Sequence, residues 1–252
     1  MKKLFVLMLA VICMAEACSS EVAVHAIPDS ANPMKMTPAL FTEASDSLIA
    51  ALGVQDGIPS SLCSYLLIKD GKNILIDSGN GREDSQLIPK LASLGLAPED
   101  IDYVLLTHLH GDHTGGLTNG GAAVFTDAQI FLNKDEYDGW GNVPESDMGK
   151  AYGDRIVVFD ADDESALPCG IKAVKAYGHT PGHTLYRVGD ILFAGDIMHA
   201  VALQRVNPDI CARFDQDKEA SASTRKAVLQ LASEEGLKVY GAHFPEPYYI
   251  QF

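Results

Sequence analysis

The chain has 252 residues, 47% of them hydrophobic, and a formal net charge of -15 from 34 acidic against 19 basic side chains. That is enough apolar material for one large domain with a substantial core, and disorder is not expected. The acidic surplus excludes a broad electrostatic affinity for nucleic acid or anionic lipid.

Residues 1–17 open with Lys2 and Lys3, continue as an apolar run over 4–14 and close on Ala15-Glu16-Ala17. That is the layout of a secretory signal, and the run is well short of the roughly 20 residues needed to cross a bilayer. Ala15 and Ala17 fit ordinary cleavage, whereas Ala17-Cys18-Ser19-Ser20 resembles a loose lipoprotein site with Cys18 lipidated, the outcome slightly favoured. The expected product is exported, periplasmic or held at the bacterial envelope, with membrane contact only through a lipid anchor at Cys18.

Residues 18–42, with Pro28, Pro33 and Pro38, read as an extended leader, and 43–252 as the domain. Strands are expected over 64–68 and 73–77, joined by the hairpin signal Asp70-Gly71. Leu87, Leu91 and Leu94 recur at helical spacing and stop at Gly95. An apolar strand over 101–107 follows, then strands over 129–132, 155–159, 171–176, 184–188 and 191–194. A helix over 218–235 places Thr224, Val228 and Leu231 on one face and ends at Gly236; a last strand over 238–242 leads to His243. Strands mixed with helices in this way predict a layered α/β (α+β) domain. Cys63, Cys169 and Cys211 are far apart with no Cys-x-x-Cys pair, which argues against a thiolate zinc site or a disulfide framework and leaves room for a single disulfide.

The stretch THLHGDHTGG, Thr107 to Gly116, ends the strand over 101–107. In extended backbone alternate side chains face one way, so His108 and His110 can present imidazoles to one point. Gly111 permits a sharp turn that brings Asp112 and His113 beside them. Neutral imidazole and carboxylate are donors that zinc prefers, with iron or manganese as substitutes.

This motif resembles the signature of the metallo-β-lactamase superfamily, and four further landmarks follow its order: LIDSGNG at 75–81, GHTPGHT at 178–184, FAGDIMH at 193–199 and GAHFP at 241–245. The resemblance implies a four-layer αββα sandwich. It implies one metal on His108, His110 and His183, a second on Asp112, His113 and His243, and Asp196 between them. Two zinc ions would activate a bridging hydroxide, oriented by Asp112, to attack a small-molecule substrate. His199 is the candidate proton donor, or else caps local structure. His179 is expected in a structural role, and Asp77 is expected to orient a ligand or the loop.

Aspartate at 196, where the largest groups of zinc β-lactamases carry cysteine, points to the lactonase, phosphotriesterase and thioesterase branches. The segment after it, with Phe214-Asp215 and Thr224-Arg225, looks like the subgroup containing methyl parathion hydrolase and related lactonases. The expected substrate is therefore a lactone or related ester. The alternatives are a zinc β-lactamase, a thioesterase or an iron-dependent redox member. Flavodiiron proteins usually have glutamate where His110 stands, and glyoxalase-type relatives usually add a helical region, whereas this sequence ends nine residues after His243.

Overall fold

A computed structural model describes residues 22–252. The expected signal segment and Cys18 lie outside the described residues. Among those described, no helix is long and apolar enough to cross a membrane.

The architecture follows from alternation along strands. In Cys63–Lys69, Leu66 joins one apolar cluster while Tyr65 and Leu67 join another. Lys72–Ile76, Tyr103–Leu105 and Gln129–Asn133 divide the same way: Leu75, Val104, Ile130 and Leu132 face the first cluster, and Ile74, Ile76, Leu105 and Phe131 the second. Strands apolar on both faces need cover on both. Leu87 and Leu91 of the helix Leu87–Ser93 cover the first face. Tyr186, Val188, Phe193 and Tyr240, from a second sheet, cover the other. That sheet turns Leu185, Leu192, Val239 and Ile250 outward against Val228 and Ala232 of the helix Lys218–Glu235. The result is the expected sandwich of helix, sheet, sheet and helix.

Both sheets are mixed. The six-stranded one runs in the order Ala23–Pro28, Cys63–Lys69, Lys72–Ile76, Tyr103–Leu105, Gln129–Asn133, Ile156–Phe159, antiparallel across its first three strands and parallel thereafter. The five-stranded one runs Lys172–Lys175, Thr184–Val188, Ile191–Phe193, Lys238–Tyr240, Tyr249–Gln251, parallel only between its third and fourth strands. These parallel pairs discharge the loops after residues 76, 105, 193 and 240 at one edge, where the motif residues gather.

Local chemistry explains several boundaries. Asp70 and Gly71 close their hairpin with φ of 54° and 73°, the left-handed pair that a two-residue turn of this kind requires. The helix Lys218–Glu235 starts where Asp217 accepts from the Ala220 amide and stops at Gly236 in the left-handed conformation. The stretch expected as a leader is extended but built into the domain: Ala23–Pro28 is an edge strand paired with Cys63–Lys69, and Met34–Met36 pairs with Ile58–Ser60. Beyond it Phe41, Val54 and Ile58 pack on Ala200, Leu203, Ile210 and Ala212, so this segment leans on the loop that follows Asp196. Cys63, Cys169 and Cys211 are all free, so no disulfide joins them.

Candidate metal centre

The strand Tyr103–Leu105 carries the chain to Thr107, and His108 and His110 follow in extended backbone, with His110 capping the one-turn helix Gly111–Thr114 at φ -63° and ψ 150°. The helical turn then presents Asp112 and His113. His110 Nδ1 lies 3.0 Å from His108 Nε2 and 3.0 Å from His179 Nε2. Asp196, on the loop after Ile191–Phe193, places Oδ2 3.8 Å from His108 Nε2 and 3.3 Å from His179 Nε2, with Oδ1 3.1 Å from His113 Nε2. His243 Nε2 is 3.2 Å from Asp196 Oδ2 and 3.7 Å from Asp112 Oδ2. Two donor sets result, His108, His110, His179 and Asp196 in one, Asp112, His113 and His243 in the other, each with its ligand atoms within 4.8 Å of one another. Asp196 reaches both.

Most of these rings are aimed by a bond on the far nitrogen. His113 Nδ1 donates to Asp77 Oδ2 at 2.8 Å, His243 Nδ1 to the Ser61 carbonyl at 2.8 Å and His179 Nδ1 to Asp215 Oδ1 at 2.9 Å. Thr107 Oγ1 donates to Asp77 Oδ2 at 2.8 Å and accepts from His108 Nδ1 at 3.0 Å. Each bond occupies Nδ1 and turns Nε2 inward, the arrangement by which outer partners orient metal-ligating histidines.

His183 departs from the expected ligand set. Its Nδ1 donates to the Ala176 carbonyl at 3.1 Å and its Nε2 accepts the Asp196 amide at 3.1 Å, so neither nitrogen is left for a cation. Gly195, at φ 46°, allows this approach, since a Cβ there would stand 2.6 Å from His183 Nε2. The first histidine of GHTPGHT, His179, takes the place expected for the second. His183 instead holds the backbone of Asp196.

His199 stacks on His243 with ring centroids 4.9 Å apart and places Nε2 3.0 Å from Asp196 Oδ2. It lines a cavity of about 430 Å³ together with Met36, His110, Asp112, Phe214 and His243. The Phe-Asp and Thr-Arg pairs noted in the sequence meet here: Asp215 accepts from His179, and Arg225, fully buried, reaches Asp215 at 3.3 Å while donating to the Ile197, Pro208 and Ile210 carbonyls. Sequence reasoning also passed over Glu136, a wholly buried carboxylate on the helix Lys134–Trp140. An acidic residue on a short helix after a strand carries no metal-motif signal, and only contact with two loops distant in the chain reveals it.

The electrostatics suit cations. Burial lowers the His108 imidazole well below its ordinary range and His110 to about 4, which keeps both neutral near pH 7. Burial opposes ionisation of Asp196, but His113, His243 and His199 outweigh it and hold this carboxyl well below the usual carboxylate range. His179 is likewise opposed by burial, yet Asp196 and Asp215 lift it to about 9. His113 Nε2 and Asp196 Oδ1 are buried with no hydrogen-bond partner. An orphaned buried polar atom costs about 1–3 kcal/mol, and a cation would satisfy both. One N–H on His110 could serve only one of its two imidazole neighbours, whereas a cation serves all three. The donors therefore fit a two-metal site.

The sandwich and its paired donor sets are accompanied by a family match: the sequence model of the metallo-beta-lactamase superfamily matches residues 61–243. The chain belongs to that superfamily. It is 26% identical over 182 residues to N-acyl homoserine lactonase AttM of Azorhizobium caulinodans, covering 66% of each chain. Among solved structures, hydrolase AbOPH of the beta lactamase superfamily superposes with a TM-score of 0.79 at 26% identity, covering 91% of this chain and 89% of that one. AidC, a dizinc quorum-quenching lactonase in complex with a homoserine product, shares the fold with a TM-score of 0.81 at 23% identity, covering 91% and 90%. The chain spans about half to two thirds of the length of the curated relatives it matches.

Proposed function

We propose that the chain is an exported hydrolase that uses two zinc ions to cleave a small ester-like substrate, a lactone or a related ester. The observation that carries this is the convergence of two donor sets on one buried carboxylate, Asp196, at the floor of an open cavity. His108, His110 and His179 would hold one cation, Asp112, His113 and His243 the other, with Asp196 shared. Iron or manganese would suit the same donors. Bound divalent cations supply Lewis acidity toward a carbonyl oxygen and toward water.

The chain's own groups do the rest. Asp112, whose side chain is 42% exposed, faces the cavity beside His243 and is placed to orient an attacking water and accept its proton. His199, set against Asp196 in the cavity wall and kept neutral near pH 7 by burial, which lowers it to about 4, is placed to hydrogen-bond the oxygen that leaves. Met36 and Phe214 offer apolar surface to the hydrocarbon part of an ester. The volume suits a small ligand, and the similarity to a lactonase supports the substrate class.

The test is metal analysis of the purified protein followed by turnover of acyl-homoserine lactones, aryl esters, phosphotriesters, a glutathione thioester and a chromogenic cephalosporin. Lactone or aryl-ester cleavage that needs zinc is expected. Activity confined to the cephalosporin or the thioester would overturn the substrate assignment. Export is checked by fractionating cells that express the full chain: Cys18→Ser should release an envelope-bound protein to the soluble fraction, and retention in the cytoplasm would refute export.

A further inference from the structure

Glu136 sits where two ligand-bearing loops come together. Its Oε1 accepts the Leu109 amide at 2.9 Å, between His108 and His110. Its Oε2 accepts the Thr180 hydroxyl at 2.7 Å and the Gly182 amide at 2.9 Å, just beyond His179. No part of it is exposed to solvent, and none of the three donors is a cationic side chain. Burying a carboxylate on neutral donors alone is costly, so the arrangement calls for a reason beyond packing.

The surroundings fix this carboxylate in place. Asn133, at the start of the same helix, caps it by accepting the Asp135 amide at 3.1 Å and donates to the Gly182 carbonyl at 3.1 Å and to Thr184 Oγ1 at 2.8 Å. Both polar groups of Gly182 are therefore gripped by this helix start. A Cβ on Gly182 would come within 2.0 Å of the Glu136 amide nitrogen, so the loop lies directly against the helix backbone. The 3.0 Å separation between His110 Nδ1 and His179 Nε2 spans the two loops that Glu136 joins.

We infer that Glu136 is a positioning residue for one metal only: by bonding the Leu109 backbone and the 180–182 loop together, it sets the spacing of His108, His110 and His179. The inference rests on the two-metal reading of the site. The Asp112, His113 and His243 set is held instead by Asp77 and by the Ser61 carbonyl, with no bond to Glu136. Loss of the clamp acts on one half of the centre. Groups that orient metal ligands typically contribute ten- to hundredfold to metal affinity.

The experiment measures zinc affinity of the full chain by competition with a chromogenic chelator, in two backgrounds. In Asp112→Ala only the His108, His110 and His179 set is complete; in His110→Ala only the Asp112, His113 and His243 set is. Glu136→Gln offers one acceptor oxygen where three donors wait, and its amide would face one of them donor to donor. It should weaken zinc about ten- to hundredfold in the first background and leave the second within about twofold. Tyr152→Phe, which removes a buried hydroxyl bonded to the Leu117 carbonyl and the Phe125 amide, controls for general destabilisation and should shift neither. If Glu136→Gln accumulates poorly, Thr180→Val removes one of the three bonds and should give the same one-sided pattern at about three- to tenfold. Equal weakening in both backgrounds, or none in the first, overturns the inference. A wild-type chain that binds no zinc overturns it together with the metal reading. Esters left intact by a protein holding two zinc ions would overturn the substrate assignment, with the one-sided zinc loss still supporting the clamp.

Discussion

Asp77 and His113 meet at 2.8 Å, carboxylate oxygen to Nδ1, and the same carboxylate takes the Thr107 amide and hydroxyl. One side chain therefore sets both a ligand ring and the start of the loop that delivers three more ligands, His108, His110 and Asp112. Asp77 does this from a left-handed backbone at φ 59°, a conformation that asparagine tolerates well. Asp77→Asn thus tests the charge and acceptor with little backbone cost. Zinc affinity should fall about ten- to hundredfold, read by chelator competition; an unchanged affinity would remove Asp77 from the site.

His179 and His183 should separate cleanly by metal content. Elemental analysis of His179→Ala is expected to show loss of one of two zinc ions. His183→Leu should keep both but strand the Asp196 amide and the Ala176 carbonyl, at about 1–3 kcal/mol for each buried group. At roughly 2–4 °C per kcal/mol for a domain of this size, Tm should fall by about 4–24 °C. The reverse pattern would restore His183 as the ligand.

Removing metal should destabilise the fold, because cations bind the assembled site and not the unfolded chain. At free zinc one hundred times its Kd the gain is about 2.7 kcal/mol for one site. Differential scanning fluorimetry with chelator, then with zinc returned, should show Tm falling by about 11–22 °C for the two sites together and recovering. A Tm indifferent to chelator would contradict binding at these donors.

Asp215 couples acid stability to the site. Burial opposes its ionisation, but the His179 bond, His199 and Arg225 hold its pKa near about 2 against an ordinary 3.8. A depressed folded value stabilises the protein above the unfolded value and is lost as pH falls from about 4 toward 2. In chelator-treated protein this contributes about 2 kcal/mol. Asp215→Asn should be less stable at pH 6 and flatter between pH 4 and 2 in denaturant titrations; parallel pH profiles would refute the linkage.

Regular periodicity was readable where one element determines its own limits. The helix Lys218–Glu235 shows its start in Asp217 and its stop in Gly236, and the sequence reading and the structure agree on both ends. The strand Ala23–Pro28 was hidden because its partner lies some forty residues on, and Pro28, with Pro33 and Pro38 beyond it, signals irregular backbone. His179 and His183 occupy near-identical local sequence, Gly-His-Thr on each side, and only the Asp196 amide, delivered by another strand, distinguishes them. Glu136 was invisible for the same reason: its three bonds join segments 27 to 46 positions away.

Met36 lines the cavity from the two-stranded ribbon Met34–Met36 and Ile58–Ser60, which lies outside the span 61–243 shared with the superfamily. Part of the wall that greets an incoming molecule thus comes from a stretch of polypeptide separate from the floor that would attack it. Exchanging or lengthening that ribbon can reshape preference among guests while every chelating atom keeps its seat, so selectivity here is free to drift faster than chemistry.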